Sequence, residues 1–304
     1  MAENTRIEPT GAAPADRPKD DSRKHLSRFF ERFPPLVIMA GLWLLAMIVI
    51  AILATQLAPY DYAAMDLYSR LQPPIWLEGG KWNHLFGTDD LGRDVLSRLI
   101  FSIRMSLLVA FLGTIIGAVL GTSVGFMAAH FRGVVDDFVM MCIDFQASLP
   151  FMVIALAVLA FFGNSLFLFI ALMGIYGWER YARITRGLAL SASTHGYAVA
   201  VSTLGATPLR IYGRHILPNI SSALIVNMTL NFPGTVLMET SLSFLGLGIQ
   251  PPLTSLGNML GFGRDYLTTA WWIAVLPGMT IFFATLAMCL LGDWVRDRLD
   301  PTLK

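Results

Sequence analysis

The 304-residue chain is 55% hydrophobic and 14% charged, with a net charge of +1 at pH 7. Soluble domains carry about 25% charged residues, so a membrane protein is expected, and the near-neutral balance excludes the basic field that nucleic-acid binding needs. Cys142 and Cys289 lie far apart inside apolar runs, which points to neither a disulfide framework nor a metal cluster, and no cofactor is expected on this chain.

In chain order, residues 1–35 are rich in Pro, Ala, Asp, Arg and Lys and read as a disordered tail that cannot bury enough apolar surface to fold. Its polar character also argues against a cleavable leader. A helix needs about 20 apolar residues to cross the hydrocarbon layer with its backbone satisfied. Six segments meet that need, at 36–57, 106–129, 138–162, 165–178, 220–247 and 271–291. The third contains Asp144, Gln146 and Pro150, and the fifth contains Pro233 and Glu239, so both are expected as interrupted helices. The fourth is short, and it is expected to continue as a helix through the basic positions after Trp178.

Sixteen of the 22 basic residues fall on one side if both ends are cytoplasmic, which favours that orientation. The expected organisation is therefore a cytoplasmic tail over 1–35, a six-helix membrane domain over 36–292 and a cytoplasmic tail over 293–304. Outside loops cover 58–105 and 249–270, and an inside loop covers 179–219. None is large enough for a catalytic domain.

Gly113, Gly117, Gly121 and Gly125 recur at four-residue spacing and line one helix face with small residues, suited to close packing within the chain or against another subunit. Asp144 and Glu239 are the acidic residues well inside spans, where a charge is costly unless paired or hydrated. Asp144 reads either as a pair for Arg132 or Arg180 near the inner interface or as part of a translocation path. Glu239 reads either as a buried structural hydrogen-bond partner or as a path residue. Arg180, Arg183 and Arg186 fan over one helix side, for lipid phosphates or for a partner.

Residues 194–204 form a short helical candidate stopped by Gly205, and Pro208 is suited to starting another helix ahead of the fifth span. Two small helices joined at a glycine corner make a knob whose apolar positions Val201, Leu204, Leu209 and Ile211 need a partner. His215 has no metal-ligand spacing around it, and neither a phosphate-binding loop nor a nucleophile motif occurs. An enzyme is not expected. An ion-gradient-driven transporter or channel using Asp144 and Glu239 is the competing class.

Four anchors carry a family resemblance: Phe86-Gly-Thr-Asp-Asp-Leu-Gly-Arg-Asp-Val-Leu-Ser-Arg98, Arg214-His-Ile-Leu-Pro-Asn219, Ser241-Leu-Ser-Phe-Leu-Gly-Leu-Gly-Ile-Gln-Pro-Pro252 and Gly292-Asp-Trp-Val-Arg-Asp-Arg-Leu-Asp-Pro301. From about residue 36 onward the chain resembles the second permease subunit of the dipeptide, oligopeptide and nickel family of ATP-binding-cassette importers. The resemblance implies an all-α permease of the type I importer fold, in a bacterial inner membrane. It also implies three kinds of partner: a homologous second permease, two ATPases and an extracytoplasmic solute-binding protein docking on the outside loops. Membrane lipid surrounds the assembly.

The family's cytoplasmic loop carries a Glu-Ala-Ala, glycine, Leu-Pro motif that seats on the ATPase. Here it maps onto Val199, Ala200, Val201, Gly205, Leu217 and Pro218, with Val199 in the place of the glutamate. Coupling is accordingly expected through Ala200, Gly205, Ala206, Pro208, His215, Leu217 and Pro218, and the implied solute is a di- or oligopeptide or one of similar size.

Overall fold

The computed structural model describes residues 34–196, 201 and 203–299, and among these the regular structure is helical. Pro34 and Pro35 start α1 (Pro35–Ile52), the proline at the first helical position sacrificing an amide that has no helical partner anyway. α1 buries Ala40 and Met47 and leaves most of its apolar surface exposed.

The segment 58–94 is a loop built on turns. Its conformation is fixed at the end by Asp94, whose carboxylate accepts from both Ser97 N and Ser97 Oγ at 2.7 Å and so caps α2 (Val95–Phe131). α2 therefore begins eleven residues before the apolar span expected from 106, because the Asp94 cap, and not hydropathy, sets its start. Its 37 residues extend about 55 Å at 1.5 Å per residue.

Arg132 and Gly133 both adopt positive φ and turn the chain into α3 (Gly133–Ser148). The break expected at Pro150 is present: α3 and α4 (Phe151–Phe162) meet at 87°. The fourth expected span is divided. α5 (Leu166–Ile175) is only ten residues, the chain turns at Tyr176–Gly177, and α6 (Trp178–Ser193) follows. By length and composition, four helices among the described residues can each cross a membrane, or five spans if the bent pair counts as one.

α7 (Leu217–Phe244) departs from expectation in the opposite sense. Pro233 lies inside it, yet the helix is continuous, and helical structure runs unbroken from Pro208 to Phe244. The second of the two expected small helices is thus the first turns of this long rod. α8 (Leu256–Gly263) folds back between α7 and α9 (Trp272–Leu299), which also absorbs an internal proline, Pro277.

The glycine stripe explains why α2 is central. A Cβ on Gly113 would lie 2.5 Å from Met173 Cβ, on Gly117 2.8 Å from Gly174 O, on Gly121 2.2 Å from Trp178 O and on Gly125 2.6 Å from Ala182 O. Only glycine permits this approach, and α5 and α6 together track the stripe for its whole length. The stripe therefore packs within the chain. The apolar core includes a cluster where Met47, Leu99, Met259 and Trp272 meet and another around Leu159, Phe169 and Leu242.

Candidate functional site

At one end of the rod, Gly205 has φ +78°, the left-handed geometry that glycine adopts without strain, and nothing crowds it. The chain then turns at Ala206 and re-enters a helix with Pro208 at its first position. Residues Ile211–Ile216 form a π-helical stretch in which Leu217 N reaches back five residues to Tyr212 O. Pro218 accounts for it: a proline has no amide for the i−4 carbonyl and its ring crowds that carbonyl, so the turn before it widens. One residue on, His215 O accepts from Asn219 Nδ2 at 2.7 Å.

Leu217 is half-buried and packs on a cluster with Ile216, Ile220 and Leu224, so it holds the knob to the helices behind it. Leu204 and Leu209 are the outward pair, 86% and 85% exposed. Val199 and Ala200 lie outside the described residues.

Next to the knob, α2 and the start of α7 frame a groove of about 720 Å³ lined by Phe126, His130, Leu209, Tyr212 and Leu217 among others. A second groove of about 930 Å³ lies between α1, α2, α7 and α9. The two share Ile115 and Met228 and so follow the same α2–α7 seam. Arg104 is the one charged residue that lines the second groove.

The two intramembrane acids separate cleanly. Asp144 is exposed and pairs with Arg183 Nη2 at 2.8 Å, not with the expected Arg132 or Arg180. Arg180 instead donates to Asn231 Oδ1 at 2.7 Å, and Arg186 forks onto Asp136 of α3. Two of the three arginines thus stitch α6 to α3 and the third stitches it to α7. Glu239 is fully buried and lines neither groove. It accepts from Ser243 Oγ at 2.8 Å and sits among the hydroxyls of Thr240, Ser106 and Ser255.

The 58–94 loop is tied to the first turn of α2 and to α9 by a network that sequence reading did not resolve. Asp89 accepts from Leu91 N, Arg93 N and Arg93 Nε, and pairs with the buried Arg98. Trp272 Nε1 donates to Thr88 O at 3.2 Å, and His84 Nδ1 lies 3.0 Å from Asp94 Oδ1. The Gly-Thr-Asp-Asp-Leu-Gly-Arg-Asp anchor is thus a folded capping unit. The available signal was its density of Asp and Arg beside turn glycines.

Comparison with known proteins places this architecture. Residues 121–304 match the family model described as "Binding-protein-dependent transport system inner membrane component". The chain belongs to that family. Residues 35–74 also match the "N-terminal TM domain of oligopeptide transport permease C". The permease is 37% identical over 294 residues to the di/tripeptide transport system permease protein DppC of Pseudomonas aeruginosa, covering 96% of this chain and 97% of that protein. It is 35% identical to the dipeptide permease DppC of Haemophilus influenzae, over 86% of this chain and 89% of that protein. It is also 35% identical to the glutathione permease GsiD of Pectobacterium atrosepticum, over 91% of each. The permease is therefore a multi-pass inner-membrane, non-catalytic subunit of an ATP-binding-cassette importer, working with ATPase and binding-protein partners. Free energy enters through the ATPases, which displaces the ion-gradient alternative.

Proposed function

We propose that the permease forms half of the path by which di- or tripeptides, or a solute of similar size such as glutathione, enter the cytoplasm. The substrate class follows the named relatives, two of them peptide permeases and one a glutathione permease. The α2–α7 seam with its two grooves is the wall that a homologous second permease would face, and one of two ATPases would seat on the knob, the other on the knob of the second permease. Both chain ends and the knob lie on the cytoplasmic side, with α3–α4 and α5–α6 each supplying one of six crossings.

The observation that carries the coupling reading is the pair Leu204 and Leu209, large apolar side chains held in the open on either side of the Gly205 corner. Burying two leucines against an ATPase groove is worth about 1.5–3 kcal/mol each at most, before the entropy lost on docking is deducted. Behind them the helix is continuous to Phe244, so displacement of the knob becomes displacement of the whole rod.

The test is co-purification of the tagged permease from native membranes, wild type against Leu204→Glu and Leu209→Glu. These positions are preferable to Leu217, whose substitution would damage the core. Recovery of a second permease and ATPases with wild type, and loss of the ATPases alone with the variants, is the expected result. Undiminished ATPase recovery with both variants would overturn the docking assignment.

A further inference from the structure

We propose that Glu239 is a positioning residue for transport: its hydroxyl cage locks the outer end of α2 and the re-entrant α8 to α7, making loop 58–94 and the knob two ends of one rigid body. The inference rests on the coupling reading above.

Glu239, Ser243, Ser106 and Ser255 are each between 0% and 1% exposed, and they come from three different segments. Ser106 Oγ accepts from Leu256 N at 3.1 Å, and Ser255 Oγ accepts from Asn258 N at 3.2 Å as the cap of α8. Each hydroxyl has a single proton, so spending its acceptor side on a backbone amide leaves that proton for the carboxyl. Ser243 and Thr240 approach from α7 itself. A carboxylate has about four acceptor positions, and four hydroxyls surround this one.

The cage is one link in a longer chain of contacts. One helical turn toward the loop, Ser102 Oγ and Thr254 Oγ1 are 2.9 Å apart, and Arg98 Nη2 reaches Thr254 at 3.5 Å while Nη1 holds Asp89. Polar contacts therefore run from the loop at Asp89 through α2 and the α8 cap to the last turns of α7. Glycines close the joint: a Cβ on Gly257 would lie 2.4 Å from Thr240 O, and one on Gly248 would lie 2.0 Å from Ser243 Oγ.

Leucines could hold α8 against α7 with less desolvation. What apolar contact does not supply is direction, since hydrophobic attraction is indifferent to sliding and rotation whereas hydrogen bonds weaken steeply off axis. A satisfied buried network fixes one arrangement. From Leu217 to Glu239 the helix spans about 33 Å at 1.5 Å per residue, so the cage is placed to receive motion that starts at the knob and pass it to the loop.

The test uses the complete transporter in lipid nanodiscs with its binding protein, comparing basal and binding-protein-stimulated ATP hydrolysis. Glu239→Ala is expected to keep the basal rate within about twofold and to cut the stimulation ratio about tenfold, the scale of more than one lost hydrogen bond. Glu239→Gln, which keeps an acceptor oxygen, should recover most of the ratio. Thr254→Val, which opens the chain between Arg98 and Ser102, should lower it by about fivefold or less, the scale of one hydrogen bond. An assembled Glu239→Ala complex stimulated as well as wild type overturns the clamp. So does an equal fall in basal and stimulated rates with no recovery in the Gln variant. If Glu239→Ala fails to assemble, Thr254→Val and Ser106→Ala decide: unchanged ratios in both overturn the proposal. A wild-type complex whose ATPases ignore the binding protein overturns the coupling reading itself.

Discussion

Replacing Gly121 with alanine should separate α2 from α6 and destabilise the permease. The new Cβ would lie 2.2 Å from Trp178 O and 2.7 Å from Tyr181 Cβ, and ordinary contact begins at 3.4 Å. The nearest atom is backbone, so no rotamer change relieves the clash, and the helices must part by more than an ångström. Overpacking of that kind costs about 1–3 kcal/mol. The stripe amplifies it, because Gly117 and Gly125 sit one turn away on either side and lose dispersion contact when the axis shifts. Gly187→Ala on α6 is the matched control: nothing lies within 4 Å of its Cβ, and the change should be neutral or stabilising by up to about 1 kcal/mol through helix propensity. Thermal unfolding in detergent, followed by intrinsic tryptophan fluorescence, reads both. The expected result is a midpoint lowered for Gly121→Ala and level or raised for Gly187→Ala. Equal midpoints for the two variants would refute the packing assignment.

Other predictions address the loop, the α3–α6 contact and the outer turn. Trp272→Phe leaves Thr88 O without its indole donor in a buried site, and should cost about 1–3 kcal/mol, visible in the same melts. Arg186→Gln removes the fork onto Asp136; because the pair is partly exposed, the loss should be about 1 kcal/mol or less and should shrink in high salt. Asp66 is held below the usual carboxylate range by hydrogen bonds from the Ser69 hydroxyl and the Tyr68 amide. Folding therefore favours its charged form, so its contribution to the turn Leu67–Ser69 is present above about pH 4 and lost as pH falls further. Amide-exchange protection at Ser69, corrected for intrinsic rate, should fall below pH 4 in wild type and be low at every pH in Asp66→Ala.

Hydropathy identified the membrane class and placed most of the helices, because a segment that crosses lipid must be apolar whatever its neighbours are. The glycine period showed which face of α2 would be approached, since close approach depends only on the absence of a Cβ. The knob was legible as a Gly205 corner followed by Pro208. Pro208 marked where the chain re-enters a helix, although not that this helix would pass through a π-helical stretch and continue into α7. Prolines were the least transferable signal. Pro150 bends its helix pair by 87°, whereas Pro233 is carried inside an unbroken helix; nothing in the local sequence separates the two, because packing along each helix decides.

The acids could not be assigned from sequence for a similar reason. Asp144 and Glu239 both read as charges inside apolar runs, and the difference between an exposed ion pair and a sealed hydroxyl cage depends on residues far away in the chain. Glu239 needs Ser106 and Ser255, 133 positions before it and 16 after it, to be brought around one carboxyl. What the sequence determined by itself is the set of properties local to a segment: apolarity, small-residue faces, caps and corners. The tertiary structure alone decided which polar groups meet, because in a membrane protein buried polar atoms must find partners inside the protein, and those partners come from whichever helices pack nearby.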